Sequence, residues 1–116
     1  MVSTSATVLP LRDYRSGRRP QFFTRGELNQ LLGLYSRNVA RGVWRDYAID
    51  HRDGRALFSV FRHTQEGPIY TVVKTVSSGT AAAEFVVMSG RQRLRSGATL
   101  AEALTFFRGK LSLVAG

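Results

Sequence analysis

The stretch VWRDYAIDHRDGRALFSVFRH, residues 43–63, decides the fold predicted for this chain. At its centre stands Asp53-Gly54, a dipeptide typical of a two-residue β-hairpin turn, because both residue types tolerate the positive φ that such a turn needs. The flanking strands then form two facing apolar pairs: Ile49 with Phe58, and Tyr47 with Val60. The stretch therefore predicts an antiparallel hairpin with one apolar face.

Three further segments extend this hairpin into a sheet. After a turn around residues 65–68, Thr71 is predicted to face Val60 and Val73 to face Phe58, which continues one apolar face over three strands. A slip of one residue would exchange the two faces. The segment AAAEFVVMS, residues 81–89, predicts a fourth strand. RQRLR, residues 91–95, is either a short fifth strand or the tail of a turn.

A helix is predicted on each side of the sheet segments. Both begin with a T-x-x-E capping box, Thr24 to Glu27 and Thr99 to Glu102. Apolar residues then recur at helical spacing: Leu28, Leu31, Leu32, Tyr35 and Val39 in the first helix, and Leu100, Leu104, Phe107 and Leu111 in the second. The predicted fold class is α+β, an antiparallel sheet of four to five strands flanked by an N-terminal and a C-terminal helix (α-β-β-β-β-α).

Length and composition fit one domain. The chain has 116 residues, of which 43% are hydrophobic, enough for a single core. Residues 1–20 are rich in Ser, Thr, Arg and Pro without periodicity and are expected to form a disordered basic arm, so that residues 21–116 make up the folded domain. We find no secretory signal and no apolar stretch long enough to cross a membrane. The absence of cysteine agrees with a cytoplasmic protein.

The net charge of +9 favours a polyanionic partner. The excess lies mainly at the two ends: residues 1–20 hold four basic and one acidic group, and residues 91–116 hold five and one, whereas residues 21–90 hold eight and six. Fifteen of the seventeen cations are arginines. Arginine offers a planar fork that binds phosphate in bidentate fashion.

These patterns point to nucleic-acid binding through phosphate contacts, with DNA and RNA both open. Arg91, Arg93 and Arg95 alternate along an extended segment and are predicted to line one face or edge. Arg15, Arg18 and Arg19 of the arm would assist them. In the register above, Phe61 lies beside Tyr70 on the face opposite the apolar pairs, where exposed aromatic rings would stack bases.

Each of these features also has a purely structural interpretation. Arginines protect the edge of a sheet from aggregation, and Phe61, Tyr70 and Trp44 fit a core or a dimer interface better than a stacking platform. Asp50 and Lys74 form an ordinary surface pair in this register. The competing hypothesis is a protein-interaction or regulatory module that forms a homodimer through a leftover apolar patch and does not bind nucleic acid.

We expect no enzymatic role. Asp46 and Asp50 are four residues apart on a strand, about 13 Å, which is too far for a pair of catalytic carboxylates. His51 and His63 fall at opposite ends of the hairpin and do not converge on a metal. The sequence has no nucleophile elbow, Walker A loop or zinc-protease motif, and we predict no cofactor, no metal and no small-molecule substrate.

Several segments resemble a family of short alphaproteobacterial proteins, a domain-of-unknown-function family. They are Phe23, the helix ELNQLLGLYSR, the strands WRDYAID and FSVFR, and the closing segment Gly97 to Leu100. The resemblance covers roughly residues 22–114. It implies a bacterial, cytoplasmic protein and assigns no functional residue, but it draws attention to the block Trp44 to Tyr47.

Overall fold

A computed structural model describes residues 20–63, 65–76 and 82–115, with the side chains of the last helix described as far as Arg108. The elements, in chain order, are α1 (Arg25–Ala40), β1 (Asp46–Arg52), β2 (Arg55–Phe61), β3 (Tyr70–Val76), β4 (Ala83–Ser89), β5 (Gln92–Gly97) and α2 (Leu100–Ala115). The five strands form one antiparallel sheet in sequence order. The predicted α+β class is confirmed, and RQRLR does contribute a fifth strand.

Both predicted capping boxes are present. The Thr24 hydroxyl accepts from the Glu27 amide at 3.1 Å, and the Glu27 carboxylate accepts from the Thr24 amide at 2.8 Å. The same pair of bonds joins Thr99 and Glu102, at 3.2 and 3.1 Å. These bonds satisfy amides that the first turn of a helix leaves without a partner, which fixes where each helix begins.

The β1–β2 hairpin forms as predicted. Asp53 and Gly54 have φ angles of 54° and 78°, as a two-residue hairpin turn requires. The register follows from this turn: Ile49 faces Phe58, and Tyr47 faces Val60.

The predicted register of β2 and β3 is wrong by one residue. Val60 faces Tyr70 and Phe58 faces Val72, because the amide of Ile69 already donates to the Val60 carbonyl at 2.9 Å. The slip exchanges the faces of β3. The side chains that share the apolar face are therefore Tyr70, Val72 and Lys74, and those on the other face are Thr71, Val73 and Thr75.

Both helices pack on the same face of the sheet. One core cluster joins buried residues of α1, of the apolar face and of α2, among them Leu31, Phe58, Val87 and Phe107. We call the face that carries these strand residues the covered face. The opposite face, which we call the open face, meets neither helix in the described part of the chain. At its centre lie Val73 and Val86, which are themselves buried, with the half-buried Leu57 and Met88 beside them.

The inward side of α1 differs from the prediction at its C-terminal end. Val39 is 40% exposed, whereas Asn38 is fully buried. The Asn38 amide nitrogen donates to the Leu34 carbonyl at 2.8 Å, and its backbone carbonyl accepts from the amides of Val43 and Trp44. The backbone of Asn38 thus ties the end of the helix to the segment that enters β1, while its side chain satisfies part of its hydrogen-bonding capacity within the helix.

Gly97 allows α2 to approach the end of β5 closely. A Cβ on Gly97 would lie 2.6 Å from the Glu102 Cβ and 3.1 Å from the Ala103 amide nitrogen. Both contacts are too close, and neither a backbone atom nor a β-carbon can move away without shifting the main chain. We expect Gly97→Ala to lower the free energy of unfolding by about 1–3 kcal/mol in urea denaturation. Gly67→Ala is the matched control, since nothing lies within 4 Å of a Cβ there. Equal midpoints for the two variants would contradict this packing.

Candidate nucleic-acid interface

Arg91, Arg93 and Arg95 lie in β5, a border strand, or in the turn before it. Of the two predicted arrangements, along one face or along one edge, the shared face is wrong. Arg91 is an exposed residue of the turn between β4 and β5, next to Gly90 with its φ of 61°. Arg93 faces Met88 and Arg95 faces Val87, with an irregularity of the ladder between these positions. The extra residue of this bulge places Arg93 and Arg95 on opposite faces of the sheet.

The contacts of the two strand arginines agree with this placement. Arg93 reaches Glu84 across the open face at 3.4 Å, while Arg95 donates to the Thr105 hydroxyl of α2 at 3.1 Å on the covered face. Both arginines remain exposed. Arg15, Arg18 and Arg19 lie outside the described residues, and the binding roles of all six arginines stay predictions.

Phe61 and Tyr70 lie on opposite faces, so the prediction that placed them side by side is wrong. Tyr70 belongs to an aromatic cluster on the covered face, with ring centroids 6.4 Å from Trp44, 5.7 Å from Phe106 and 5.1 Å from Phe107. The structural interpretation of Tyr70 and Trp44 as core residues is confirmed. Phe61 stays half-buried on the open face, at the end of β2.

The block Trp44 to Tyr47 joins α1 to the sheet. Trp44 is buried, the Arg45 carbonyl accepts from the Tyr35 hydroxyl at 3.0 Å, and the Tyr47 ring stacks on Phe58 at 5.5 Å. Burial raises the pKa of Tyr35, and the charges of Asp46 and Tyr47 raise it further. Tyr35 therefore remains a neutral donor that holds the segment carrying Arg45.

Asp46 and Asp50 bind backbone rather than each other. Each accepts from the amide of the residue that follows it, Tyr47 and His51, at 2.8 Å. In this hairpin the amides of alternate β1 residues point away from β2, and the amides of Tyr47 and His51 are among them. Among the described residues no group of three or more histidines and carboxylates is placed to hold a metal ion.

Lys74 is an interior cation, not the surface partner of Asp50 that the sequence predicted. Its ammonium donates to the Glu27 carboxylate and to the Phe22 carbonyl, both at 2.9 Å. Asp50 instead pairs with Arg52 at 3.1 Å. The one-residue slip of β3 places Lys74 on the covered face, beneath the start of α1.

Arginines concentrate at one end of the sheet. This end is where α1 finishes, β1 and β5 begin, β2 stops and the β4–β5 turn lies. Among the described residues it holds six arginines and two carboxylates, Asp46 and Glu66. The arginines, which define what we call the basic end, are Arg37, Arg41, Arg45, Arg62, Arg91 and Arg108. Arg93 is not included, because its guanidinium pairs with Glu84 at the other end of β4. The other described residues hold six basic and five acidic groups, so most of the excess charge of this part of the chain lies at the basic end.

Arg45 and Arg62 are two of the five arginines at the basic end that the sequence did not predict as binding residues. Each looks isolated in the sequence, but Arg45 precedes β1 and Arg62 follows β2, and antiparallel pairing brings these positions together. The Arg45 amide donates to the Phe61 carbonyl at 2.8 Å. The signal that could have found them is the position of each arginine relative to the predicted strand ends.

The described chain starts at the other end of the sheet. The Gln21 amide donates to the carbonyl of Gly54, in the β1–β2 turn, at 3.0 Å. Gln21, at the start of the described residues, therefore lies at the end of the sheet opposite Arg62 and Arg91. The sequence prediction that Arg15, Arg18 and Arg19 assist Arg91, Arg93 and Arg95 was based on charge alone, and the three arm residues lie outside the described residues.

The fold and this interface define a small α+β domain with an open antiparallel sheet and a basic end. The chain belongs to the family described as "Protein of unknown function (DUF2794)", whose model matches residues 21–104. The predicted resemblance to a domain-of-unknown-function family is thereby confirmed. No curated protein and no solved structure matches the chain. In the described part of the chain, neither helix has the length and hydropathy needed to span a bilayer.

Proposed function

We propose that this domain binds nucleic acid through phosphate contacts at its basic end. The observation that carries the proposal is the ratio of six arginines to two carboxylates there, against six basic and five acidic groups in the rest of the described domain. Guanidinium groups bind phosphate through charge-assisted hydrogen bonds, and each phosphate contact releases counterions. In this proposal the protein is a small regulatory or accessory protein of the bacterial cytoplasm.

The spacing of the arginines supports contacts with several phosphates. Arg62 follows β2 and Arg91 precedes β5, three strand positions away, so their backbones are about 15 Å apart at the usual strand spacing. Both are exposed, and neither forms an ion pair with another described residue. Their guanidinium groups are thus available to two separate phosphates of one strand.

Phe61 adds a reason to expect single strands. It lies on the open face directly before Arg62, and the open face carries no helix in the described part of the chain. A base stacked on Phe61 would leave its phosphate within reach of Arg62. Tyr70 has no such role in this proposal, because its ring packs in the aromatic cluster with Phe107.

The test is fluorescence anisotropy of the full chain with single-stranded and double-stranded DNA and RNA, from about 50 to about 300 mM salt. The variant is Arg62→Ala/Arg91→Ala. We expect its affinity to fall roughly 10- to 100-fold near 100 mM salt, and the salt slope to drop by about 1.4 for a single strand or about 1.8 for duplex DNA.

The matched control is Arg25→Ala/Arg52→Ala, which removes the same charge from exposed positions away from the basic end. We expect it to change affinity less than threefold, since neither residue belongs to the interface. An equal loss in both double variants would show a dependence on net charge alone and would refute the interface. No binding at low salt would refute nucleic-acid binding and leave the protein-interaction module as the alternative.

A further inference from the structure

A groove lies between α1 and α2. Its volume is about 530 Å³, within the range of roughly 300–1,000 Å³ that small-molecule sites occupy. Gly33 of α1 and Ala101 of α2 both line it. Packed helices normally fill the space between them with interlocking side chains. Here the space stays empty because Gly33 has no side chain and Ala101 has only a methyl group.

Among the described residues, three arginines and no carboxylate line this groove: Arg37 and Arg41 of α1, and Arg108 of α2. The Arg37 guanidinium folds back along α1, with Nη1 only 3.5 Å from the position that a Cβ on Gly33 would take. The conformation directs its charge toward the groove rather than away from the domain. The electrostatic character of the groove is therefore that of an anion site.

The groove also has apolar walls. Leu34 and Phe107, both buried core residues, line it together with the half-buried Leu104. A free inorganic anion would gain nothing from these side chains. Cationic groups combined with apolar walls favour a ligand that carries a charged group on an apolar body.

Asn38 supplies a third, independent observation. It lines the groove and is fully buried, and its amide nitrogen is committed to the Leu34 carbonyl at 2.8 Å. The side-chain oxygen Oδ1 is thereby identified as an acceptor, and it has no hydrogen-bond partner among the described residues. A buried acceptor without a donor is costly, so Asn38 is a polar point behind the otherwise apolar wall of the groove.

We infer that this groove binds a small amphipathic organic anion. The carboxylate or phosphate of the ligand lies against Arg37, Arg41 and Arg108, and its apolar body packs on Leu34 and Leu104. Arg37, Arg41 and Arg108 also belong to the basic end. The inference nevertheless does not depend on nucleic-acid binding, because it also rests on the cavity and the apolar walls between the helices.

The test uses anilinonaphthalene sulfonate, a fluorescent dye that combines an anionic sulfonate with two apolar ring systems, a naphthalene and a phenyl ring. We expect saturable binding of one dye per full-length chain, with a blue-shifted emission. Decanoate and decyl phosphate are expected to displace the dye, and the stronger competitor identifies the preferred anionic group. Decanol, which has the same chain without charge, is expected to compete at least tenfold less well.

Two variants locate the site. Gly33→Leu fills the groove from α1 and is expected to abolish dye binding; leucine also has the higher helix propensity, and circular dichroism would verify that the helix content is kept. Arg37→Gln is expected to weaken binding at least tenfold, whereas Arg62→Gln, with the same charge change outside the groove, is expected to leave it unchanged.

The outcomes separate this inference from the proposed function. If Gly33→Leu binds the dye as tightly as the natural chain, or if decanol competes as well as decanoate, the groove is not an anion site and the inference is overturned. Arg62→Ala/Arg91→Ala is expected to bind the dye normally while it loses nucleic acid. Gly33→Leu is expected to bind nucleic acid normally while it loses the dye.

Discussion

Replacing Lys74 with methionine is expected to lower the free energy of unfolding by about 3 kcal/mol. The Lys74 side chain is only 10% exposed and that of its partner Glu27 18%. Methionine keeps most of the apolar stem, so the loss arises because the Glu27 carboxylate stays in the interior without its cation. The same carboxylate closes the capping box of α1 through the Thr24 amide, which couples the start of the helix to the sheet.

Urea denaturation with matched variants measures this effect. Arg52→Met breaks the Arg52–Asp50 pair, whose side chains are 64% and 56% exposed, and is expected to cost less than about 0.5 kcal/mol. Glu27→Gln keeps an oxygen for the Thr24 amide but removes the charge. We expect Lys74→Met/Glu27→Gln to be more stable than the sum of the single effects predicts, by more than about 1 kcal/mol. A loss at Lys74 no larger than the loss at Arg52 would rule out an interior ion pair.

Phe107→Ala is expected to cost about 3–5 kcal/mol, the range typical of a buried phenylalanine. Phe107 is almost fully buried, and its ring lies 5.6 Å from Trp44 and 5.2 Å from Phe106, edge to face in both contacts. Its removal leaves a cavity where α2 meets the segment that enters β1. Trp44 is the single tryptophan of the chain, so its emission should shift to the red in the folded variant as water reaches the ring.

Phe61→Ala is the control, because it deletes the same side chain from the open face. Phe61 is half-buried and belongs to no aromatic cluster among the described residues, so we expect a loss of about 1 kcal/mol and an unchanged Trp44 emission. Comparable losses for the two variants would show that both sheet faces are covered equally. That result would contradict the placement of both helices on one face.

The parts of the fold that the sequence predicted are those determined by local interactions. A capping box needs two residues three positions apart, and both boxes formed as predicted. The Asp53-Gly54 turn has only two residues, so it also fixes the register of β1 and β2. Strand number, helix positions and fold class follow from such short-range signals together with hydrophobic periodicity.

The register of β2 and β3 depends on a longer connection and could not be predicted in this way. Residues 62–69 do not fix a register, and the alternation in Tyr70–Val76 offers two apolar faces. Lys74 favoured the wrong register, because a charged residue is normally placed on the exposed face of a strand. Its interior partner, Glu27, is 47 positions away in the sequence and could not be recognised as a partner. Only the tertiary structure makes an inward lysine acceptable.

The candidate interface was predicted in its charge but not in its geometry. Alternation along β5 placed Arg93 and Arg95 together, and a single bulge separates them. Bulges leave no clear signal in a sequence without glycine at the site. The groove between the helices was not predicted at all. It exists because Gly33 and Ala101 have no large side chain to fill the space, and it is lined by Asn38, a polar residue on the otherwise apolar side of α1.

The carboxylates of Asp46 and Asp50 have a consequence for how copies of this chain can assemble. β1 is a border strand of the sheet, and amides that face away from β2 would normally accept an additional strand from another molecule. Here the amides of Tyr47 and His51 are already occupied by carboxylates of their own chain. An incoming strand would have to displace both and meet two negative charges. Continuous sheets across two molecules are therefore disfavoured at β1, and a dimer would have to form through another surface.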